Sequence, residues 1–197
     1  MDQTSQRQYE IIQAAGKLLI EKGVKGLTTK NLAAEMGFSE SALYRHFKNK
    51  EDIIVFLLEF LKQNIEQRLT EIAYSSANPT EKLSQIFNSQ FVYFSQNPHF
   101  VVAILSEGLF DETEKIYNTI LKIVQYKVQI ISSIIEQAKL QNEILETIST
   151  ADMVHILMGS FRLMMLKWKI SKFQLNLIEQ GNALMQININ LLTHEKN

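Results

Sequence analysis

Residues 27–52 read LTTKNLAAEMGFSESALYRHFKNKED, and this stretch decides the fold. Thr28 precedes a short segment with an apolar edge, Gly37 closes it, and Ser39 opens a second short segment. Ser and Thr cap a helix by accepting a hydrogen bond from its first turn, and Gly supplies the left-handed backbone that leaves a helix. The stretch therefore predicts two short helices joined by a tight turn, which is a helix-turn-helix unit.

The second of these helices has one apolar edge and one polar edge. Leu43 and Phe47 are four residues apart, so we expect them to face the core together. Tyr44, Arg45 and His46 lie on or next to the other edge. A short helix with a basic and aromatic outer edge is typical of a segment that enters the major groove of DNA.

The composition of the chain favours an all-α fold. Of its 197 residues 46% are hydrophobic, and only seven Gly and two Pro interrupt them, so the chain can bury a sizeable core. The absence of cysteine excludes disulfides and thiolate metal sites. No apolar run follows the first basic residue, and the most apolar segment, 153–168, is shorter than a membrane span. We expect a cytoplasmic protein without membrane contact or cofactor.

The charges are unevenly distributed along the chain. Residues 1–50 hold eight Lys and Arg against five Asp and Glu, and residues 51–197 hold twelve against sixteen. The first part is therefore basic and the remainder acidic, which directs a polyanion such as DNA to the N-terminal part.

Two domains are predicted. Residues 1–50 form a helix-turn-helix DNA-binding domain, residues 51–197 form an effector-binding and dimerisation domain, and a long helix over 51–74 connects them. Caps, Gly and Pro positions and apolar spacing predict about nine helices. They are expected at about 5–22, 29–36, 40–46, 50–74, 79–96, 98–109, 111–140, 150–171 and 174–192.

The quoted stretch resembles the DNA-binding domain of the tetracycline-repressor (TetR) family of bacterial regulators. The resemblance covers about the first 55 residues, and the rest of the chain matches the family only in the number and length of its helices. It is carried by Thr28-Thr29, Leu32-Ala33-Ala34, Gly37, Ser39, the run Leu43-Tyr44-Arg45-His46-Phe47, and Lys50. It implies a homodimeric repressor that binds double-stranded DNA at a palindromic operator and responds to a small apolar effector. Such a protein is expected to be associated with the bacterial nucleoid.

The resemblance also implies roles for single residues. Ser41 and Arg45 correspond to base-reading positions, and Lys30 to a position that reaches a base or a phosphate. Glu40 either accepts from a cytosine amino group or, as we favour, holds Arg45 or Lys30 in place. Phosphate contacts are implied for four residues, Thr29, Tyr44, His46 and Lys50, although His46 could instead pack against Phe47. The predicted DNA-binding residues are Thr29, Lys30, Ser39, Glu40, Ser41, Tyr44, Arg45, His46 and Lys50.

The segment 153–168 is apolar on nearly all sides, and such a helix must be covered on all sides. We expect its own subunit to cover one face, and the last helix together with a partner subunit to cover the rest in a four-helix bundle, where Gly159 would permit close helix approach. The predicted dimer-interface residues are Phe161, Met164, Trp168, Leu177, Leu184, Met185 and Ile189.

Many aromatic residues and flexible Met side chains in the second domain favour an apolar effector pocket, although each could equally be plain core. Arg162, a lone cation in an apolar helix, needs an anionic partner. Glu107, Glu136, the other subunit or an effector carboxylate could supply it. The predicted pocket residues are Phe87, Phe91, Phe94, Ile104, Leu105, Tyr117, Leu121, Met158, Arg162 and Met165.

A second function is open at this point. The run over residues 39–47 and the later Asn97-Pro98 and Ile104-Leu105 also resemble the nucleoid-occlusion branch of the family, whose members bind many chromosomal sites and a cell-division protein. No Gly-rich phosphate loop, nucleophile elbow or metal-spaced His pair is found. An enzyme is therefore not expected.

Overall fold

The structure, a computed structural model, describes residues 6–106 and 113–193. Within those residues the chain forms nine helices and no strand, which confirms the predicted all-α fold. The helices are α1 (Gln6–Gly26), α2 (Thr29–Met36), α3 (Glu40–Tyr44), α4 (Lys50–Ala73), α5 (Pro79–Gln96), α6 (Pro98–Ile104), α7 (Glu114–Leu140), α8 (Thr150–Ile170) and α9 (Leu177–Leu192).

Several helices differ from their predicted bounds. The helix α6 ends at Ile104 rather than near residue 109, and α9 begins at Leu177 rather than near residue 174. Gly23 has φ 66° and ψ −173°, so it breaks α1 where the end was predicted, but helical backbone resumes and continues to Gly26. The helix α3 ends at Tyr44 rather than at His46, because the His46 N–H turns back to the carbonyl of Leu43 at 2.9 Å. The predicted start at Ser5, end at Leu109 and start at Asp111 lie outside the described residues.

The predicted helix caps account for where several helices begin. The Asn78 carboxamide oxygen accepts from the N–H of Glu81 at 2.8 Å, and the Glu81 carboxylate accepts from the N–H of Asn78 at 3.3 Å. This reciprocal capping box opens α5. Ser149 caps α8 in a similar way by accepting from the N–H of Asp152.

The chain divides into two compact units that are not contiguous in sequence. The first unit is Met1–Lys62 with Asn97–Leu121, and the second unit is Gln63–Gln96 with Lys122–Asn197. The helices α4 and α7 each contribute residues to both units. The predicted domain limits at 1–50 and 51–197 follow chain order and stay a prediction.

In the first unit a glycine allows α1 and α6 to pack closely. A Cβ atom on Gly16 would lie 2.8 Å from Cγ of His99, which is closer than a side chain tolerates. His99 is buried against Phe100, with ring centroids 4.3 Å apart, and burial lowers its pKa to about 4. His99 is therefore a neutral core side chain at physiological pH.

In the second unit the core is a cluster of phenylalanines from α5 and α8. The Phe161 ring lies 5.8 Å from that of Phe87, 5.3 Å from that of Phe91 and 6.4 Å from that of Phe94. The helix α9 packs on α5 through Gly181, where a Cβ atom would lie 2.7 Å from the ring of Phe91. These contacts determine which faces of α8 and α9 the chain itself covers.

Candidate nucleic-acid interface

The turn between α2 and α3 is held by backbone bonds that only a left-handed residue permits. Gly37 has φ 68° and ψ 30°, and its N–H reaches the carbonyls of Ala33 and Ala34. The N–H of Phe38 then donates to the Ala33 carbonyl at 2.8 Å. This closure ends α2 sharply and turns the chain into α3.

Two apolar anchors orient α3. Leu43 and Phe47 are buried as predicted, and the Phe47 ring meets Phe56 of α4 edge-on at 5.4 Å. With these two side chains directed inward, the opposite edge of α3 and the turn after it faces outward. Its exposed residues are Ser39, Glu40, Ser41, Tyr44, Arg45 and His46.

The beginning of α3 is stabilised by hydroxyl groups. Ser39 caps the helix by accepting from the N–H of Ala42 at 3.3 Å. Its hydroxyl also lies 3.0 Å from that of Ser41, so the two side chains share a hydrogen bond. The Ser41 side chain is therefore positioned on the exposed edge before any ligand arrives.

Thr29 and Tyr44 form a hydrogen bond between α2 and α3. Thr29 is buried at the start of α2, and its hydroxyl donates to the hydroxyl of Tyr44 at 3.3 Å. Tyr44 itself is half exposed. The bond leaves the Tyr44 proton available to donate outward, whereas Thr29 has little surface of its own to offer.

The charged residues around α3 are mostly solvated. Lys30 and Arg45 are exposed, and Lys50 is partly exposed at the start of α4. Within residues 6–106 and 113–193, Glu40 forms no ion pair with Arg45 or Lys30, so the holding role that we favoured for its carboxylate is not observed. The basic side chains can therefore turn toward an incoming polyanion.

Six of the seven residues predicted for the dimer interface are buried by the chain's own helices, and Leu184 alone is partly exposed. Phe161 shows the physical reason, because it packs into the phenylalanine cluster of α5. The same two helices expose other apolar side chains, which the sequence analysis did not select. These are Ile156, Leu163, Leu166, Ile170, Ile178, Ile187 and Leu191.

The residues predicted for the effector pocket belong to both units. The first unit holds Ile104, Leu105, Tyr117 and Leu121, and the second holds Phe87, Phe91, Phe94, Met158, Arg162 and Met165. The three phenylalanines and Met165 are buried, Tyr117 is exposed, and Ile104, Leu105, Leu121 and Met158 are partly exposed. A single pocket formed by all ten stays a prediction.

Arg162 is exposed, so its charge is solvated and needs no partner inside the protein. Of the partners considered for it, Glu136 accepts a hydrogen bond from Thr150 instead, and Glu107 lies outside the described residues. Lys82 of α5 is a buried cation. Another is Lys127 of α7, which the sequence analysis also missed. Its spacing of four residues from Ile123 and from Ile131, both buried, was the signal that could have found it.

A surface groove of the second unit has a volume of about 1010 Å³. It is lined by α5, by α9 and by the turn after α7, and its lining is rich in amide and carboxylate groups such as Gln85, Glu143 and Gln186. Of the predicted pocket residues, none lines it. Its polarity does not suit an apolar effector.

Among the described residues, none of the helices combines the length and the hydropathy that crossing a bilayer requires. The same part of the chain brings together no group of three His, Asp or Glu side chains that could hold a metal ion.

Comparisons with known proteins agree with the geometry of the α2–α3 surface. Residues 11–55 match the family model of bacterial regulatory proteins of the tetR family. The nucleoid occlusion factor SlmA of Aliivibrio fischeri (strain MJ11) is 28% identical over 160 residues, which span 79% of this chain and 82% of that protein.

Two solved structures share the fold at low sequence identity. The fatty acid degradation regulator FadR from Bacillus halodurans has a TM-score of 0.85 at 15% identity, covering 98% of this chain and 100% of its own. The transcriptional regulator FadR from Bacillus subtilis, in complex with stearoyl-CoA, has a TM-score of 0.80 at 21% identity, covering 92% and 97%.

Proposed function

Because residues 11–55 make this chain a DNA-binding regulator of the tetR family, we propose that it acts as a homodimeric repressor on a palindromic operator and responds to a small effector. The observation that carries the DNA-binding part is the exposed polar edge from Ser39 to His46 above the buried Leu43 and Phe47. Five residues of α3 span about 7.5 Å, which fits the width of the major groove.

Each exposed side chain on this edge suits a different DNA contact. Arg45 can donate two parallel hydrogen bonds to the O6 and N7 atoms of guanine, a pair that contributes about 1–3 kcal/mol of base discrimination. Tyr44, fixed by Thr29, can donate to a phosphate oxygen, and Lys50 can lie beside a phosphate as a point charge. Base recognition is thus assigned to Arg45, and positioning on the DNA backbone is assigned to Tyr44 and Lys50.

We predict that Arg45→Ala lowers affinity for the operator about 10-fold or more while leaving affinity for random duplex nearly unchanged. Lys50→Ala should weaken both and reduce the slope of log affinity against log salt by about 1, since it removes one phosphate contact. Titrations of both duplexes at several salt concentrations test this. Equal losses for both variants on both duplexes would contradict the division of roles.

The dimer contact is proposed on the exposed apolar face of α8 and α9. Ile156, Gly159, Leu163, Leu166 and Ile170 follow one another at alternating spacings of three and four residues, so they form one stripe along α8. Leu163 is 57% exposed and Ile170 is 72% exposed. A second copy of the chain would cover this stripe and bring two α3 helices to successive turns of the duplex.

We predict that Gly159→Arg dissociates the dimer without unfolding the subunit. A Cβ atom at Gly159 meets no described atom of its own chain within 4 Å, and replacing Gly within a helix stabilises that helix by up to about 1 kcal/mol. A charged side chain on the stripe would block a second subunit. Sedimentation velocity measures the monomer fraction, and Ala151→Arg, which adds the same charge off the stripe, is the control. A dimer as tight as the wild type would contradict this interface.

The response to an effector is proposed to involve the second unit. A ligand shifts DNA binding only if its affinity differs between the DNA-bound and free arrangements of the dimer. Support comes from the FadR structure of Bacillus subtilis, which has the same fold and holds stearoyl-CoA. The helix α4, which contributes to both units, would link ligand and DNA sites.

A second function is nucleoid occlusion. It is supported by relatives that match most of the chain and are nucleoid occlusion factors. Such a protein would bind DNA at many chromosomal sites and also contact a cell-division protein. Chromatin immunoprecipitation with sequencing separates the two functions. One or two sites beside an operon support the repressor, and dispersed sites support nucleoid occlusion.

A further inference from the structure

The core of the second unit contains polar groups whose hydrogen-bonding capacity is unmet. Gln90 of α5 is fully buried, and in the part of the chain that the structure describes neither its Nε2 nor its Oε1 has a hydrogen-bond partner. The Nη2 atom of Arg68 in α4 is buried and equally unpartnered. Lys127 of α7 is only 7% exposed and forms no hydrogen bond or ion pair within residues 6–106 and 113–193.

These groups lie in one region of the unit. The Lys127 ammonium is 4.3 Å from the centre of the Phe161 ring, which in turn packs on Phe91. Gln90 precedes Phe91 on the buried face of α5. The Arg68 guanidinium donates to the Ser89 carbonyl at 2.9 Å, one residue before Gln90 along α5.

Among the described residues, no carboxylate forms an ion pair with Arg68 or Lys127. Burial, and then repulsion by the Arg68 guanidinium, lower the pKa of Lys127 to about 8. Two neighbouring cations and an unsatisfied amide are each costly in an apolar core, and buried groups of this kind are concentrated at functional sites. A bound anion would satisfy the donors of all three and relieve the repulsion.

The free donors match a carboxylate. The other polar nitrogens of Arg68 are engaged, since Nη1 donates to Ser89 and Nε to Asn64 at 2.7 Å. One Arg68 nitrogen, the Gln90 Nε2 and the Lys127 ammonium therefore remain for the ligand. Two carboxylate oxygens can be satisfied by these few donors, whereas a phosphate would leave oxygens unpaired among phenylalanine rings.

We propose that Arg68, Gln90 and Lys127 bind the carboxylate of a small monocarboxylic acid, whose apolar body packs against the phenylalanine cluster of α5 and α8. This site rests on the proposed function, because its ligand is the effector of the regulator. The apolar body lies among Phe87, Phe94 and Phe161, which supply the hydrophobic part of the affinity.

Isothermal titration calorimetry on the full chain tests the site with octanoate, 1-octanol, acetate and inorganic phosphate. Octanoate should bind at least about 10-fold more tightly than 1-octanol, because only octanoate presents the charged head, and phosphate should not bind. Lys127→Met and Gln90→Leu should each weaken octanoate about 10-fold or more. Lys122→Met removes an exposed lysine of the same helix and should leave the affinity unchanged.

Several outcomes overturn the carboxylate site. Equal binding of octanoate and 1-octanol, tighter binding of phosphate, or full octanoate affinity in Lys127→Met would each do so. Circular dichroism is the check on folding. We expect Lys127→Met and Gln90→Leu to be folded, because each removes an unpaired buried group.

A parallel DNA titration separates this inference from the proposed function. Operator binding by a protein that does not bind octanoate overturns the carboxylate site alone. Octanoate binding that depends on Lys127 but does not change operator affinity supports the site and overturns the proposed effector response.

Discussion

Lys127→Met is expected to raise the free energy of unfolding by about 3 kcal/mol at pH 7. Burial and the neighbouring Arg68 lower the pKa of Lys127 from 10.5 to about 8, so folding without a bound anion places a charge where it is poorly stabilised. One pKa unit corresponds to about 1.4 kcal/mol, which gives this magnitude. Methionine has a similar length and flexibility and carries no charge.

The stability that Lys127→Met gains over the wild type should disappear at alkaline pH. Between pH 8 and 10.5 the unfolded chain binds the Lys127 proton and the folded chain does not, so the stability of the wild type rises with pH across that window. Below about pH 8 the lysine is charged in both states and the full penalty is present. Above about pH 10.5 it is neutral in both, and the penalty is absent.

Urea unfolding at pH 7 and pH 10 measures the difference between the variant and the wild type. Lys122→Met is the matched control, because it removes the same charge from an exposed position of α7 and should change the unfolding free energy by less than about 0.5 kcal/mol. A Lys127→Met protein that is less stable than the wild type would show that Lys127 has a stabilising partner. An equal gain at both pH values would show that the gain does not come from the charge of the lysine.

Phe161→Ala should lower the free energy of unfolding by about 3–5 kcal/mol, the range for removing a buried phenylalanine. Phe161 is 5% exposed and touches three phenylalanines of α5, so alanine would leave a cavity at the centre of the second unit. The loss combines the lost burial of the ring with the cost of that cavity. It also removes the ring that faces the Lys127 ammonium.

Chemical denaturation of Tyr74→Ala is the control for this substitution. Tyr74 belongs to the same unit and is 86% exposed, so its truncation should cost less than about 0.5 kcal/mol. If Phe161→Ala cost no more than Tyr74→Ala but weakened the dimer, Phe161 would act at the interface, as the sequence analysis predicted, rather than in the core.

Local features of the fold were predictable because each depends on residues only a few positions apart. The Thr28 hydroxyl accepts from the N–H of Asn31, and Gly37 has a left-handed backbone conformation. Asn78 forms a capping box with Glu81. The spacing of Leu43 and Phe47 likewise predicted which edge of α3 faces outward. Sequence analysis missed the hydrogen bond from Thr29 to Tyr44, because no local pattern shows which hydroxyls of two helices meet.

The sequence by itself determined that this chain is all-α and that it presents a helix-turn-helix with a polar outer edge. Only the tertiary structure decided which apolar faces the chain covers itself, since Phe161 is buried and Leu163 on the same helix is exposed. It also decided that Lys127 lies in the core near Arg68 and forms no ion pair with a carboxylate of the described residues. Burial and charge pairing depend on helices far apart in sequence, and the periodicity of one helix shows that a face is apolar but not what covers it.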